Sequence, residues 1–161
     1  MKDEVSVLYK SPVGILKITS RNEKIILIEP VEDENFVKGE AIDETNKDYK
    51  LCLKAVEQLN EYFQGKRKVF DLPLNAEGTE FQMKVWKALC DIPYGETRSY
   101  SDIAKAIGNT KAVRAVGGAN NKNPIAIVVP CHRVIGKNGS MVGYGGGLPM
   151  KEYLLQLEKA L

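Results

Sequence analysis

The apolar residues of this 161-residue chain are spaced in two different ways, and this contrast limits the folds that the chain can adopt. Near its beginning, three short runs rich in β-branched residues are separated by turn residues, namely residues 5–9, 15–19 and 24–28. Runs of this length predict antiparallel strands of a small sheet. Later in the chain the apolar residues recur at helical spacing instead, so the sequence indicates an α+β fold.

The first helical pattern follows an acidic, polar stretch, residues 32–48, which we predict to be an exposed loop. Apolar residues then recur every three or four positions from Cys52 to Phe63, and Gly65 is a suitable stop. Because Cys52 lies on the apolar face, we interpret it as a core residue. A further helix is predicted over residues 81–92.

Residues 73–79, which contain Pro73 and Gly78, are predicted to be a linker. The linker divides the chain into an N-terminal domain of residues 1–72 and a C-terminal domain of residues 80–161. With 43% hydrophobic residues, the chain has enough apolar material for real cores.

The charge of the chain is distributed unevenly. Residues 1–78 carry 12 basic and 15 acidic side chains, whereas residues 79–161 carry 11 basic and 6 acidic ones. Between Asp102 and Glu152 there are seven basic residues and no acidic residue. A field of one sign attracts polyanions, most commonly nucleic acid, although a solvated basic face fits the charge alone equally well.

The basic part of the sequence contains a helix-turn-helix pattern. Ser99 is a good N-cap for a helix over residues 100–107, and a break follows at residues 108–110. A second helix is predicted over residues 111–121, with Thr110 as its cap. The layout makes this second helix the candidate recognition helix, although close packing of two ordinary helices would give a similar pattern.

The candidate chemistry is concentrated at Cys131 and His132. They follow residues 125–129, which we predict to form a short buried strand bounded by prolines. A cysteine becomes nucleophilic as a thiolate near a base or cation, and His132 is the only histidine in the chain. The dipeptide alone fits a buried structural cysteine better. The basic surroundings and the glycine-rich residues 136–147 favour a nucleophile in a cleft that faces an anionic partner.

The segment 130–134, Pro-Cys-His-Arg-Val, resembles the signature of the O6-alkylguanine-DNA alkyltransferases. Four further segments stand in that family's order and spacing, at residues 95–100, 114–119, 123–125 and 143–147. The resemblance is strong over the C-terminal part and only in outline over the N-terminal part. It implies a small ribonuclease-H-like N-terminal antiparallel β domain, followed by a helical C-terminal domain with a helix-turn-helix and an active-site loop.

The resemblance also implies roles for the catalytic residues. Cys131 would accept the alkyl group, and His132 would be the base, linked through a water to a carboxylate that Glu158 matches. Asn123 would order the turn that carries the active-site loop. Tyr100 would donate to the guanine ring and crowd the phosphate, which drives rotation of the nucleotide.

The residues implied to contact DNA lie mainly on or near the second helix, which enters the minor groove in this family. Arg114 would take the place of the extruded base. Tyr100 is expected to contact the DNA as well. The charge and the small side chains of this part of the sequence add Lys111, Ala115, Gly117, Gly118, Lys122 and Arg133 to the expected DNA contacts. Backbone groups of Cys131 and Val134 would read the guanine edge, and the rest of the pocket would be formed by Met141, Tyr144 and Gly145.

The implied reaction repairs DNA that carries O6-alkylguanine, with O4-alkylthymine as a further candidate substrate. A thiolate attacks the sp³ carbon on O6, and the thioether that forms has no acyl carbon for water to attack, so each molecule would act once. Three alternatives are a lesion sensor without repair, a helix-turn-helix regulator and a cysteine hydrolase. Lesion sensors of this kind lack the acceptor cysteine, whereas this chain has Cys131. A regulator without chemistry would leave Cys131 and His132 unexplained. A cysteine hydrolase would release its product repeatedly and would not need the basic segment.

The remaining expectations concern partners and location. One histidine and three widely spaced cysteines do not suggest a metal site, and the reaction needs no cofactor. Neither a signal core nor a membrane-spanning run is evident in the sequence. We therefore expect a protein of the cytoplasm, or of the nucleus in a eukaryotic source, where cysteines stay reduced. We also expect a monomer without an obligate protein partner that acts on double-stranded DNA.

Overall fold

A computed structural model describes residues 4–32, 43–136 and 147–160 of the chain. By the clustering of its contacts the chain divides into two compact units, Met1–Ala76 and Glu77–Leu161. In the parts of the chain that are described, no helix is long and apolar enough to cross a membrane.

The N-terminal unit contains the three predicted strands, β1 (Glu4–Ser11), β2 (Gly14–Arg21) and β3 (Lys24–Val31). They form an antiparallel sheet in the order β1-β2-β3, which confirms the prediction. The turn between β2 and β3 has two residues, Asn22 and Glu23, both with positive φ. Two-residue turns of this kind match the twist of paired strands, so they join the strands tightly.

Helix α1 (Lys47–Phe63) packs against the sheet, and the side chain of Asn46 caps its first turn. Its start overlaps the end of the predicted loop, most of which lies outside the described residues. Cys52 is fully buried, and its thiol donates to the carbonyls of Val5 and Ile18. Burial raises the pKa of Cys52 to about 12, so this thiol is part of the core.

Part of the predicted linker pairs with the sheet. The amide of Ile25 donates to the Pro73 carbonyl at 2.8 Å, and the amide of Asn75 donates to the Ile25 carbonyl at 2.9 Å. Residues 73–75 therefore extend the edge of the sheet at β3.

The C-terminal unit is mainly helical. Its elements are α2 (Glu80–Leu89), β4 (Arg98–Ser99), α3 (Tyr100–Ala106), α4 (Val113–Asn121), β5 (Val134–Ile135) and α5 (Leu148–Leu157). Strands β4 and β5 form a short parallel pair, and both α2 and α3 pack against α4. This arrangement confirms the predicted helical domain and its helix-turn-helix order.

The helix-turn-helix differs from the prediction at the start of its second helix. Ser99 caps α3 as predicted, in a reciprocal pair of hydrogen bonds with Asp102. The prediction that Thr110 caps α4 is wrong, because α4 begins at Val113 after Ala112, without a side-chain cap. A turn closed by the Ala112 amide and the Asn109 carbonyl occupies the intervening positions, so the helix begins later.

The predicted strand over residues 125–129 is also wrong. Ile127 has a φ of +72°, and the amide of Val128 donates to the carbonyl of Ala126 at 2.8 Å. These residues form a tight turn, although their β-branched side chains have the composition of a strand.

Trp86 connects α2 to α4. Its indole N–H donates to the Ala119 carbonyl at 2.9 Å, and the ring is buried. We predict that Trp86→Phe lowers the free energy of unfolding by about 1–3 kcal/mol, because the variant loses this buried hydrogen bond and part of the packed volume.

Chemical denaturation followed by far-UV circular dichroism would measure this loss, because the variant has no tryptophan fluorescence. Met83→Ala, on the exposed side of α2, is the matched control and should change stability by no more than about 0.5 kcal/mol. Equal stability of Trp86→Phe and the parent protein would show that this connection is unimportant.

Candidate functional site

Cys131 opens a single turn of 3₁₀ helix, Cys131–Arg133, in the C-terminal unit. The turn follows Pro130, around which the chain bends so that the Cys131 amide donates to the Val129 carbonyl at 2.8 Å. All three residues of the 3₁₀ turn are buried. A cysteine in this position is held by its own backbone and by the residues packed around it.

The chain that leads to Cys131 is strained at Ile127. A φ of +72° is rare for a β-branched residue, and the three-residue turn centred there costs on the order of 1–3 kcal/mol. Ile127 is nevertheless buried. Such a conformation persists only where neighbouring contacts fix it.

Asn123 provides these contacts. Its side-chain N–H₂ donates to the carbonyls of Val129 at 2.8 Å and Ile125 at 3.3 Å, and its Oδ1 accepts from the Ile125 amide at 3.0 Å. The three bonds close residues 123–129 into one compact loop, which ends two residues before Cys131.

His132 contacts Glu158 directly. Its Nε2 lies 2.8 Å from Glu158 Oε2, and both side chains are fully buried. The expectation that a water joins these two residues is wrong, because the two side chains are close enough to hydrogen-bond. The other ring nitrogen, Nδ1, is buried without a hydrogen-bond partner among the described residues.

Arg133 occupies the other side of Glu158. Its Nε donates to Oε1 at 2.8 Å, its Nη2 donates to Oε2 at 3.1 Å, and its Nη1 donates to the Ile92 carbonyl at 2.7 Å. Only 6% of Arg133 is exposed. The expectation that Arg133 binds DNA is therefore wrong, because its guanidinium is buried against a carboxylate.

The electrostatics of this cluster determine the protonation of His132. Burial lowers the pKa of His132 below 6.5 and outweighs the opposing effect of Glu158. The imidazole is therefore neutral at pH 7, with its proton on Nε2 facing the carboxylate. Nδ1 is left with a lone pair that can accept a proton.

Tyr100, the first residue of α3, is close enough to Cys131 to interact with it electrostatically. Burial, and secondly the charge of Cys131, raise the pKa of Tyr100 above 10.0, so its hydroxyl stays protonated and can donate. On α4, Gly117 faces this ring, since a Cβ placed there would lie 3.8 Å from it. This is an ordinary van der Waals distance, so α4 packs beside Tyr100 here without requiring a glycine.

The exposed face of α4 is basic and has small side chains. Arg114, Ala115 and Gly118 are exposed, whereas Val116 and Ala119 face the core. Lys111 and Lys122 are exposed at the two ends of the helix. A helix with this surface can approach a phosphate backbone closely and neutralise its charge.

Two buried polar residues near Cys131 were not identified from the sequence. Asn120 donates from its amide to the Cys131 carbonyl at 3.3 Å, and Lys151 donates from Nζ to the Val134 carbonyl. Lys151 lies two helical turns before Glu158, and this spacing in the sequence places both residues on the same face of a helix. The position of Glu158 could therefore have indicated that Lys151 lies near the site. For Asn120, we find no signal in the sequence beyond its place on the inner face of α4.

The remaining predicted residues lie partly outside the described part of the chain. Val134 is buried beside the 3₁₀ turn, whereas Met141, Tyr144 and Gly145 lie outside the described residues. Within the described segments, no group of three or more His, Cys, Asp or Glu side chains could hold a metal ion.

Two family models match the chain, and together they cover most of its length. Residues 5–76 match the ribonuclease-like domain of 6-O-methylguanine DNA methyltransferase. Residues 80–160 match the DNA-binding domain of the same family.

Named relatives are similar over nearly the whole chain. A methylated-DNA–protein-cysteine methyltransferase of Methanosarcina acetivorans is 50% identical over 155 residues, which are 94% of this chain and 96% of that protein. The constitutive enzyme of that name from Bacillus subtilis is 47% identical, covering 93% of this chain and 92% of its own.

Solved structures agree with these relatives. The crystal structure of Mycobacterium tuberculosis O6-methylguanine methyltransferase has a TM-score of 0.82 at 43% identity, covering 98% of this chain and 93% of that one. The crystal structure of Mycobacterium tuberculosis OGT in complex with DNA also gives a TM-score of 0.82, at 45% identity, and covers 98% and 92% of the two chains.

The neutral state of His132 predicts a loss of stability in mild acid. Its pKa is lowered by folding, so below about pH 6.5 the unfolded chain binds a proton that the folded protein excludes. The free energy of unfolding should therefore fall as the pH decreases from 7 to 5.5, with a slope approaching about 1.4 kcal/mol per pH unit.

Urea denaturation at a series of pH values would measure this slope. Because the chain has one histidine, His132→Gln is a direct control and should remove most of the pH dependence in this range. A parent protein whose stability is constant from pH 7 to 5.5 would contradict the assignment of a neutral, buried imidazole.

Proposed function

Because the chain belongs to the 6-O-methylguanine DNA methyltransferase family, we propose that it repairs DNA by moving an alkyl group from guanine O6 to the sulfur of Cys131. The observation that carries the proposal is the buried arrangement around this cysteine. Its neighbour His132 is neutral, hydrogen-bonds to Glu158 through Nε2 and has Nδ1 open to accept a proton.

The substrate that we propose is double-stranded DNA that carries O6-alkylguanine, with O4-alkylthymine as a further candidate. The basic, small-residue face of α4 suits an approach through the minor groove. Since O6 is inaccessible within a duplex, the damaged nucleotide must leave the stack, at a cost of a few kcal/mol. We assign Arg114, exposed on α4, to the space that the nucleotide leaves, which offsets part of this cost.

The chemical step begins with the proton of the Cys131 thiol, which passes to His132 Nδ1. The thiolate attacks the alkyl carbon in line, a sulfur–carbon bond forms, and the bond from that carbon to O6 breaks with its electron pair passing to guanine. Tyr100, whose hydroxyl is protonated, donates a hydrogen bond to the guanine as negative charge develops. The guanine anion then takes up one proton, and His132 gives up the proton that it took from the thiol, so the step is balanced. Asn123 keeps the loop before Cys131 closed throughout this step.

The product is a thioether at Cys131, and this product determines the stoichiometry. A thioether carbon is not an acyl centre, so water does not release it as it would release a thioester. Each protein molecule therefore reacts once. We further propose that it acts as a monomer, in the reducing cytoplasm where Cys131 stays a thiol.

We predict that an oligonucleotide duplex containing one O6-methylguanine transfers one methyl group to each protein molecule. Intact-protein mass spectrometry would detect the adduct, and peptide mapping would place it on Cys131. Cys131→Ser should give no adduct, whereas Cys90→Ser, which changes the exposed thiol, should react like the parent protein.

The variant Arg114→Ala tests the extrusion of the damaged nucleotide separately from the alkyl-transfer step. It should slow transfer from duplex DNA by about tenfold or more, while leaving transfer from free O6-methylguanine unchanged.

Release of several unmodified guanines per protein would indicate a hydrolase. Selective binding without an adduct would indicate a sensor, and neither adduct nor selectivity would leave a helix-turn-helix regulator.

A further inference from the structure

Asn120, on the inner face of α4, has a hydrogen-bond acceptor that no described residue uses. The residue is 1% exposed, and its Oδ1 is buried without a partner. Native proteins pair nearly all of their buried polar atoms, because an unpaired atom loses its hydration and gains no hydrogen bond in return. A buried acceptor without a partner is consequently a candidate binding group for a ligand.

The orientation of the Asn120 amide is fixed by its contact with Cys131. Its Nδ2 donates to the Cys131 carbonyl at 3.3 Å. Rotating the amide by half a turn would place Oδ1 against that carbonyl, oxygen against oxygen, so the unpaired atom is the oxygen and not the nitrogen. A group that pairs with it must therefore be a hydrogen-bond donor.

The contact with Asn120 is not needed to pair the Cys131 carbonyl. The same carbonyl accepts from the backbone amide of Val134, in the pattern of a 3₁₀ turn. At 3.3 Å the bond from Asn120 is also longer than most hydrogen bonds in proteins. Stability alone does not favour an asparagine at this position, since an apolar side chain of similar size would leave no polar atom unpaired.

Two unpaired acceptors adjoin Cys131, and the proposed reaction brings two donors to them. Among the described residues, the buried side-chain nitrogen and oxygen atoms without a partner are Asn120 Oδ1 and His132 Nδ1. His132 Nδ1 receives the proton of the Cys131 thiol in the proposed reaction. The second donor comes from O6-alkylguanine. Because an alkyl group on O6 leaves N1 without a proton, the donor on that edge of the base is the 2-amino group.

Burial does not separate Asn120 from the substrate. Cys131 is itself only 4% exposed, and its sulfur must nevertheless touch the alkyl carbon for transfer to occur. A base that reaches the sulfur therefore enters the interior of the C-terminal unit. Asn120 lies there too, in contact with the backbone of the same cysteine.

We propose that Asn120 is a specificity-determining residue, whose Oδ1 accepts a hydrogen bond from the 2-amino group of O6-alkylguanine. The inference rests on the proposed function and adds a group that distinguishes guanine from other bases. O4-alkylthymine has a carbonyl oxygen where guanine has the amine, so it leaves Oδ1 unpaired. A site that hydrogen-bonds one substrate group discriminates against analogues without that group, because its own polar atom then has no partner.

The test compares two DNA duplexes that differ in one chemical group. One contains O6-methylguanine, and the other contains O6-methylhypoxanthine, which is the same methylated base without the 2-amino group. Single-turnover rates of methyl transfer to the protein are measured on both duplexes by mass spectrometry of quenched samples. The parent protein should react with O6-methylguanine about tenfold faster than with O6-methylhypoxanthine.

The variant Asn120→Leu removes Oδ1 and keeps a side chain of similar size. The ratio of the two rates should fall from about ten to about two or less, mainly because transfer from O6-methylguanine slows. Any difference in the cost of extruding the two bases is the same for both proteins, so it cancels in this comparison. Asn121→Leu makes the same substitution at the exposed neighbour on α4 and should leave the ratio unchanged.

Two results would overturn the inference without affecting the proposed function. A parent protein that reacts equally with both bases does not read the amine, and this result stands even if Asn120→Leu fails to fold. A parental ratio in Asn120→Leu, with both reactions slowed equally, would show that Asn120 acts only on the backbone of Cys131. Absence of transfer from O6-methylguanine to the parent protein would contradict the proposed function itself.

Urea denaturation of Asn120→Leu provides a further check. The variant should be at least as stable as the parent protein, because the Cys131 carbonyl keeps the Val134 amide as its donor and a buried unpaired oxygen is removed. A clear loss of stability would show that the amide serves the fold, and would contradict the assignment of Oδ1 to the substrate.

Discussion

The buried carboxylate of Glu158 is the group on which the organisation of the C-terminal unit depends. It accepts hydrogen bonds from His132 and Arg133 in the 3₁₀ turn, and from the Gly95 amide in the segment after α2. An ionised carboxylate tolerates full burial only when it is paired and hydrogen-bonded. The end of α5 therefore fixes the 3₁₀ turn, and with it the backbone that carries Cys131.

The same turn is connected to the helix proposed to read DNA. Asn120, on the inner face of α4, donates to the Cys131 carbonyl, and Asn123, just after α4, closes the strained loop that precedes the cysteine. Trp86 anchors α4 from the other side through the Ala119 carbonyl. Hydrogen bonds consequently connect α4 to the backbone that carries Cys131, so a change at one is expected to affect the other.

Local patterns predicted the three strands, the helices and the Ser99 cap because those elements follow from spacing and from side chains that act within a few residues. Ile125 to Val129 were wrongly predicted as a strand because the side chain of Asn123 binds their carbonyls in place of another strand. Arg133 was wrongly assigned to DNA because a count of charges does not distinguish an exposed cation from one buried against Glu158. Lys151 was not identified from the sequence because a count of charges also does not show that it is buried, and its burial depends on tertiary packing.

The proposed reaction depends most on the protonation of His132, which burial and Glu158 together determine. Nitrogen-15 NMR of the ring measures it directly, and the single histidine of the chain makes the assignment unambiguous. At pH 7 we expect a neutral ring with its proton on Nε2 and an unprotonated Nδ1. A proton on Nδ1, or an imidazolium with protons on both nitrogens, would contradict the proposed reaction, because His132 could then not accept the proton of Cys131.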